Sequence, residues 1–378
     1  MISLLVAGDF VPSARTVGLV CNGEEKLLFG EFISVFKQTD YNIVNLECPV
    51  VLDDKTTGIE KSGPHLKAGS EAVEILKKSG FQLVTLANNH FYDYGDKGVA
   101  DTLETCRSLG MDTVGGGMNL QEASLIFYRK IQGRTFAFIN VCEHEFSIAS
   151  ESHGGSNPLD PMDNYYQIQE AGQNADYVIV MVHGGHEGYR LPSPRMQQTY
   201  RFFVDAGAHV VIGHHTHCYS GYEIYHGAPI FYSLGNFSFD HNRIEKKWNE
   251  GYAVLLKIDE DKFGFEIIPY VQGDEQAGVR IMPAREKQFF DESIRQLNRI
   301  IADSRLLADE FHRFCLSRER SLYSYFEPYS NKYLIGLFIR HLLPSFFNRK
   351  KLLIRLNMVR CEAHRDLLIT SLKNLFEK

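Results

Sequence analysis

The 378-residue sequence predicts an α/β fold followed by an all-helical appendage. Two observations carry this. Apolar runs of strand length alternate with amphipathic helical stretches up to about residue 284, and beyond it only helical periodicity remains. Charge changes at the same place: residues 1–284 carry 22 basic and 36 acidic side chains, whereas 285–378 carry 18 basic and 11 acidic. A boundary near 285 follows, separating 1–284 from 285–378.

In chain order, strands are predicted over Ile2–Ala7, Tyr41–Leu46, Phe81–Leu86, Phe136–Val141, Tyr177–Val182, His209–Ile212 and Pro229–Ser233. Each is short, rich in β-branched or aromatic residues and predominantly apolar, as strands covered on both faces are. Helices fit between them, notably Ser70–Ser79 and Val99–Leu109, with Gly80 and Gly110 as C-terminal stops. Tyr252–Ile258 and Phe263–Tyr270 flank Asp259-Glu260-Asp261-Lys262, a hairpin signal. The appendage shows helical periodicity over Phe289–Phe314 and Lys351–Phe376.

A content of 44% hydrophobic and 23% charged residues excludes a disordered chain. The net charge of −7 offers nucleic acid no overall attraction, so no nucleic-acid partner is expected. The longest apolar runs fall far short of the roughly 20 residues of a membrane helix, and the N-terminus lacks a basic region and a cleavage pattern. A cytoplasmic location is expected. The seven cysteines are scattered singly and suit buried free thiols rather than a disulfide framework, with Cys218 closest to a histidine cluster.

Polar side chains of metal-binding type follow one predicted strand after another: Asp9, Glu47, Asn88-Asn89-His90, His183 and His214-His215-Thr216-His217. Open α/β sheets bind ligands outside the carboxyl ends of their strands, so these five ends point to one shared site. Carboxylate, amide oxygen and imidazole suit Mn, Fe, Zn or a similar divalent ion. A carboxylate bridging two ions would make a two-metal hydrolase. The same residues also serve blander ends: an Asn pair forms turns, and Asp9 or Glu47 could cap a helix. Their shared place at strand ends favours the site. Gly115-Gly116-Gly117 lacks the Lys-Ser/Thr of a phosphate loop and reads as a turn.

Gly8-Asp9, Asn45-Leu46-Glu47, Leu86-Ala87-Asn88-Asn89-His90 with Asp93 and Gly95, His183-x-Gly185-x-Glu187, Gly213-His214-His215-x-His217 and Tyr232-Ser233-Leu234-Gly235-Asn236-Phe237 resemble the CapA-type capsule and poly-γ-glutamate synthesis proteins, a family of the calcineurin-like metallophosphoesterase fold. The resemblance covers about residues 1 to 272. It implies a four-layer α/β/β/α sandwich with two divalent ions between the sheet edges. Glu47 would bridge; Asp9 and His217 would bind the first ion; Asn89, His183 and His215 would bind the second. His90 would act as general acid or charge stabiliser, oriented by Asp93. Asn88, Glu187, His214 and Asn236 would touch substrate or support the ligands. Where the wider fold has Asp-x-His, this chain has Val11 in the third position, so the first ion is expected to be held more weakly.

The resemblance implies a hydrolase acting on a phosphorylated or anionic polymer-related substrate in capsule, exopolysaccharide or poly-γ-glutamate synthesis. The alternative, favoured by Val11, is a non-catalytic subunit that binds a polymer or a synthase partner. In the tail, Arg340, Arg349, Lys350, Lys351, Arg355, Arg360 and Arg365 interleave with leucine, isoleucine and phenylalanine. That pattern suits a membrane surface or an acidic partner, which would place the chain at the membrane periphery. The solvated face of a packed helix explains it as well and is the commoner case.

Overall fold

Strand Ile2–Phe10 is apolar on both faces because both are covered. Leu4 and Val6 join a core shared with a second sheet, while Leu5 and Ala7 join a core beneath helices. The computed structural model that shows this describes residues 1–360 except 243, 260, 261, 325–328, 330 and 347.

The first sheet runs in spatial order Val279–Ile281, Lys262–Gln272, Glu250–Asp259, Ile2–Phe10, Tyr41–Leu46, Leu83–Thr85, Asp112–Val114, and Asn236–Ser238 pairs with Ile2–Phe10 off that path. The second runs Tyr222–Tyr225, Ala228–Phe231, Val210–His214, Tyr177–His183, Arg134–Cys142, Phe127–Ile131. Between the sheets lie Val6 and Ile43 from the first and Phe138 and Ile179 from the second. Outside the first sheet, helices Phe32–Gln38, Glu71–Ser79 and Gly95–Ser108 bury Phe36, Leu76 and Val99. Outside the second, Pro161–Asn174 and Pro194–Asp205 bury Ile168 and Phe203. The result is the α/β/β/α sandwich.

Local sequence explains the helix ends. Asp160 and Ser193 accept backbone N–H bonds from Met162 and Met196, each followed by a proline at the first helical position. Gly80 closes Glu71–Ser79 in the left-handed region, at φ 111°. Asp259 pairs with Lys262, so the expected hairpin forms; its loop residues 260 and 261 lie outside the described residues.

The first compact unit extends to Phe311, beyond the boundary expected near 285, and residues 312–378 form a second. The reason is packing. Helix Ala284–Ala302 buries Phe290, Ile294, Leu297 and Ile301 in the first unit's core. Its Asn298 Oδ1 accepts a bond from the Tyr222 N–H at 2.7 Å. The charge change reflects the helix's solvent face and says nothing of the face that packs. The periodicity over Phe289–Phe314 breaks at Asp303, where the backbone turns extended before helix Ser304–Ser324.

In the second unit, Lys332–Ile339 and Arg349–Arg360 are helical. Most of the helix expected over Lys351–Phe376, together with Arg365, lies outside the described residues. Among the described residues no helix is long and apolar enough to cross a membrane. Their cysteines are free, and burial pushes the Cys218 thiol up.

Candidate metal centre

A bulge aims the first ligand. Ala7 pairs with Val44 and Asp9 with Asn45, so Gly8 is an extra residue in the ladder. Regular alternation would put Asp9 on Ala7's side, beneath the helices; the bulge turns it to the inter-sheet side beside Asn45. Only glycine fits there, because a Cβ at position 8 would lie 1.9 Å from the Gly235 carbonyl oxygen.

The other candidates arrive by similar short steps past strand ends. Glu47 follows Tyr41–Leu46, its N–H donating to the Phe10 carbonyl at 3.1 Å. Asn88 donates from Nδ2 to the Leu46 carbonyl at 2.8 Å and accepts the His90 N–H at 3.1 Å, which sets the turn presenting Asn89 and His90. His183 ends Tyr177–His183 in register with His214, the last residue of its neighbour strand. His215 and His217 both have positive φ, 91° and 54°. Such backbone costs about 1–3 kcal/mol per residue in a side chain other than glycine and recurs at functional sites.

The six residues expected to bind metal converge. His183 Nε2 lies 2.9 Å from Asn89 Oδ1, 3.1 Å from His215 Nδ1 and 3.3 Å from Glu47 Oε1. His217 lies 3.9 Å from Glu47 Oε1 by Nε2 and 3.9 Å from Asp9 Oδ2 by Nδ1. Two donor groups result, Glu47–His183–His215 and Asp9–Glu47–His217, all buried and sharing Glu47. Atoms bound to one ion at about 2.0–2.2 Å stand about 3 Å apart, which is the spacing of His183 Nε2 from His215 Nδ1 and from Glu47 Oε1.

Supporting contacts hold the donors. Asn45 Nδ2 donates to Asp9 Oδ1 at 2.7 Å and lies 3.2 Å from His183 Nδ1. His214 Nδ1 lies 3.2 Å from Asp9 Oδ1, so His214 supports Asp9. Asn236 Oδ1 lies 2.9 Å from His217 Nδ1, and Asn236 itself pairs with Asp9 across parallel strands. Glu187 is exposed, yet its charge reaches Glu47.

The electrostatics fit a cation. Both Glu47 carboxylate oxygens are buried without a hydrogen-bond partner. Burial, then Asp9, then the more distant Glu187, Glu145 and Asp93 hold its carboxyl well above the ordinary range. Burial alone would raise Asp9 too, but the His214 bond and the charges of His214, His183 and His217 carry it below the usual range. Burial and the neighbouring imidazoles push His183 well down and His215 down to about 4. An orphaned buried carboxylate beside imidazoles that resist protonation is the donor set a divalent ion completes.

Next to this centre, His90 Nδ1 lies 2.7 Å from Asp93 Oδ2, which also accepts the Leu66 N–H at 2.7 Å. Lys61, from the loop before residue 70, is nearly buried, pairs with Asp93 and lies 3.3 Å from His90 Nδ1 by its ammonium. Sequence reasoning missed Lys61, because a lysine between glycines and a proline looks like any loop cation. It also missed Glu145, whose Oε1 lies 3.9 Å from His215 Nε2, and the support from Asn45. Trp248, the chain's one tryptophan, has its ring centroid 4.8 Å from that of His217. Val11 is buried in the apolar core beneath the helices and brings no nitrogen.

Residues 3–241 match the family described as bacterial capsule synthesis protein PGA_cap. The chain is 34% identical over 247 residues to the capsule biosynthesis protein CapA of Bacillus anthracis, covering 63% of this chain and 60% of that protein. It is 39% identical over 246 residues to the PGA biosynthesis protein CapA of Bacillus subtilis (strain 168), covering 61% and 64%. It therefore spans less than two thirds of the length of these relatives. Among solved structures it resembles a 5'-nucleotidase from Candida albicans SC5314 at 11% identity and a TM-score of 0.42, over 84% of this chain and 57% of that one. The family match runs from the first strand past Asn236 and so takes in every donor of the buried centre: this chain belongs to the bacterial capsule synthesis family PGA_cap.

Proposed function

We propose that the chain is a metal-dependent hydrolase of phosphate or related esters, acting in the synthesis of capsule, exopolysaccharide or poly-γ-glutamate. The observation that carries this is Glu47, a fully buried carboxylate with neither oxygen hydrogen-bonded, shared by two groups of donors. Asp9, Glu47 and His217 would hold one divalent ion, and Glu47, Asn89, His183 and His215 the other, with Mn, Fe or Zn as candidates. Bound there, such ions supply a water acidified toward neutrality and positive charge for the oxygens of a displacement.

The chain's own residues do the rest. His90 has Nδ1 engaged by Asp93, which leaves Nε2 as the ring nitrogen that gives a proton to a leaving oxygen. Asp93 fixes the ring, and Lys61 and the Leu66 N–H fix Asp93. Asn88 locks the turn beneath His90. The free thiols suit a reducing compartment, so we place this activity in the cytoplasm.

The test is metal content of protein purified without added metal, together with turnover of aryl phosphate mono- and diesters. Metal with turnover supports the hydrolase. The second reading is a non-catalytic subunit that binds an anionic polymer or a synthase partner, and Val11 favours it, since the Asp9 group has a single imidazole. Absence of both metal and turnover would favour that reading.

A further inference from the structure

We propose that residues 332–360 dock on an anionic lipid surface. This stretch holds seven lysine and arginine residues and no aspartate or glutamate, in a chain whose net charge is −7. It also displays large apolar side chains to solvent: Tyr333 is 71% exposed, Leu342 67%, Leu353 59% and Phe346 58%. Large apolar side chains left in water along one stretch favour a partner that takes them up. The charge selects the partner, because a layer of anionic headgroups over acyl chains accepts basic and apolar side chains together.

The geometry suits lying on a surface. Lys332–Ile339 and Arg349–Arg360 are helices of 8 and 12 residues, too short to span a bilayer but long enough to rest in its headgroup region. Lys332, Arg340, Arg349 and Lys351 are exposed in the same stretch as the apolar residues, and their long stems let the charge reach phosphates while the leucines and phenylalanine enter the layer. The segment lies beyond residue 241, where the family match ends, so this surface is independent of the hydrolase reading.

The experiment is co-sedimentation of the full chain with phosphatidylglycerol vesicles and, separately, with phosphatidylcholine vesicles. Binding to the first alone is expected, weakening as salt is raised. Each basic side chain lost near the surface should lower partitioning about fivefold. Combined Arg340→Glu, Arg349→Glu and Lys351→Glu should therefore reduce binding on the order of a hundredfold. Leu342→Ser with Phe346→Ser, which keeps the charge, should also reduce it, with Trp248 fluorescence showing that the first unit stays folded. Failure to bind phosphatidylglycerol, equal binding to both lipids, or binding indifferent to salt and to both variants would overturn the proposal. So would a soluble dimer formed through these residues in place of vesicle binding.

Discussion

His183 Nε2 faces His215 Nδ1 across 3.1 Å. Burial and neighbouring charge disfavour the doubly protonated form of either ring, so two neutral imidazoles converge beside Asn89 Oδ1 and Glu47 Oε1. A cation relieves that convergence. His183→Ala should weaken the tighter metal equivalent by more than about tenfold, since even outer partners of metal ligands contribute that much. His217→Ala should lower the weaker equivalent instead. Metal analysis after graded dialysis checks both, and equal loss of both equivalents in either variant would show the two groups to be misassigned.

Trp248 gives the Asp9–Glu47–His217 group its own reporter. With its ring 4.8 Å from His217 and Nε1 donating to the Phe239 carbonyl at 2.6 Å, the indole is fixed beside one group of donors. Titration with Mn should quench its fluorescence in step with the weaker equivalent. The signal should vanish in His217→Ala and persist in His183→Ala; quenching that tracks the tighter equivalent would contradict this arrangement.

Metal uptake should release a proton. Burial and then Asp9 hold the Glu47 carboxyl well above its ordinary value, and binding requires the carboxylate. Affinity should therefore rise with pH between the ordinary carboxylate value and Glu47's raised one, and fall as acid restores the proton. His215, pushed down to about 4, adds a further loss only near that pH. Asp9, carried below the usual range, adds none in that interval. Calorimetric titrations in buffers of different ionisation enthalpy measure the release, and a profile flat above the ordinary carboxylate range would mean that Glu47 is already ionised.

Acid chemistry and metal binding should separate. His90→Ala should keep the metal while lowering turnover about 10²- to 10⁴-fold. Lys61→Met should reduce turnover less, because Asp93 keeps the Leu66 N–H and His90 as partners. Metal lost along with activity in His90→Ala would make His90 a ligand.

Two truncations distinguish the boundaries. A chain ending at Phe311 should fold and keep its metal. A chain ending at residue 284 loses Phe290, Ile294, Leu297 and Ile301, each worth about 1.5–3 kcal/mol of burial against a net stability of about 5–15 kcal/mol for a domain. It should unfold at a much lower temperature or fail to fold. Thermal unfolding of both, followed by circular dichroism, decides; equal midpoints would restore the boundary near 285.

Buried parallel strands were the most legible part of the sequence. Tyr41–Leu46 lies where its apolar run predicts, since a strand covered on both faces leaves little else for such residues to do. The candidate donors were legible for a related reason: a polar residue ending an apolar run has few structural uses. Edge strands were not. Phe127–Ile131 reads Phe-Tyr-Arg-Lys-Ile with its middle exposed, and its partner supplies the order that its own sequence lacks. Asn236–Ser238 follows a glycine and looks like a turn, yet pairs in parallel with Ile2–Phe10. Nor does any local pattern announce the bulge at Gly8, where the Gly235 carbonyl, more than two hundred positions away, leaves room for glycine alone.

The donors come from both sheets: Asp9 lies in a strand of the first and Glu47 and Asn89 follow strands of it, and His183 and His215 end or follow strands of the second. Asp9 and His214 stand 205 positions apart, so the cluster exists only after pairings distant in the chain have formed. During synthesis, Asp9 leaves the ribosome long before its imidazole partners. An ion that needs all of them can be captured only once the chain has been made past His217 and both sheets have formed, and its retention would then mark which molecules have completed that assembly.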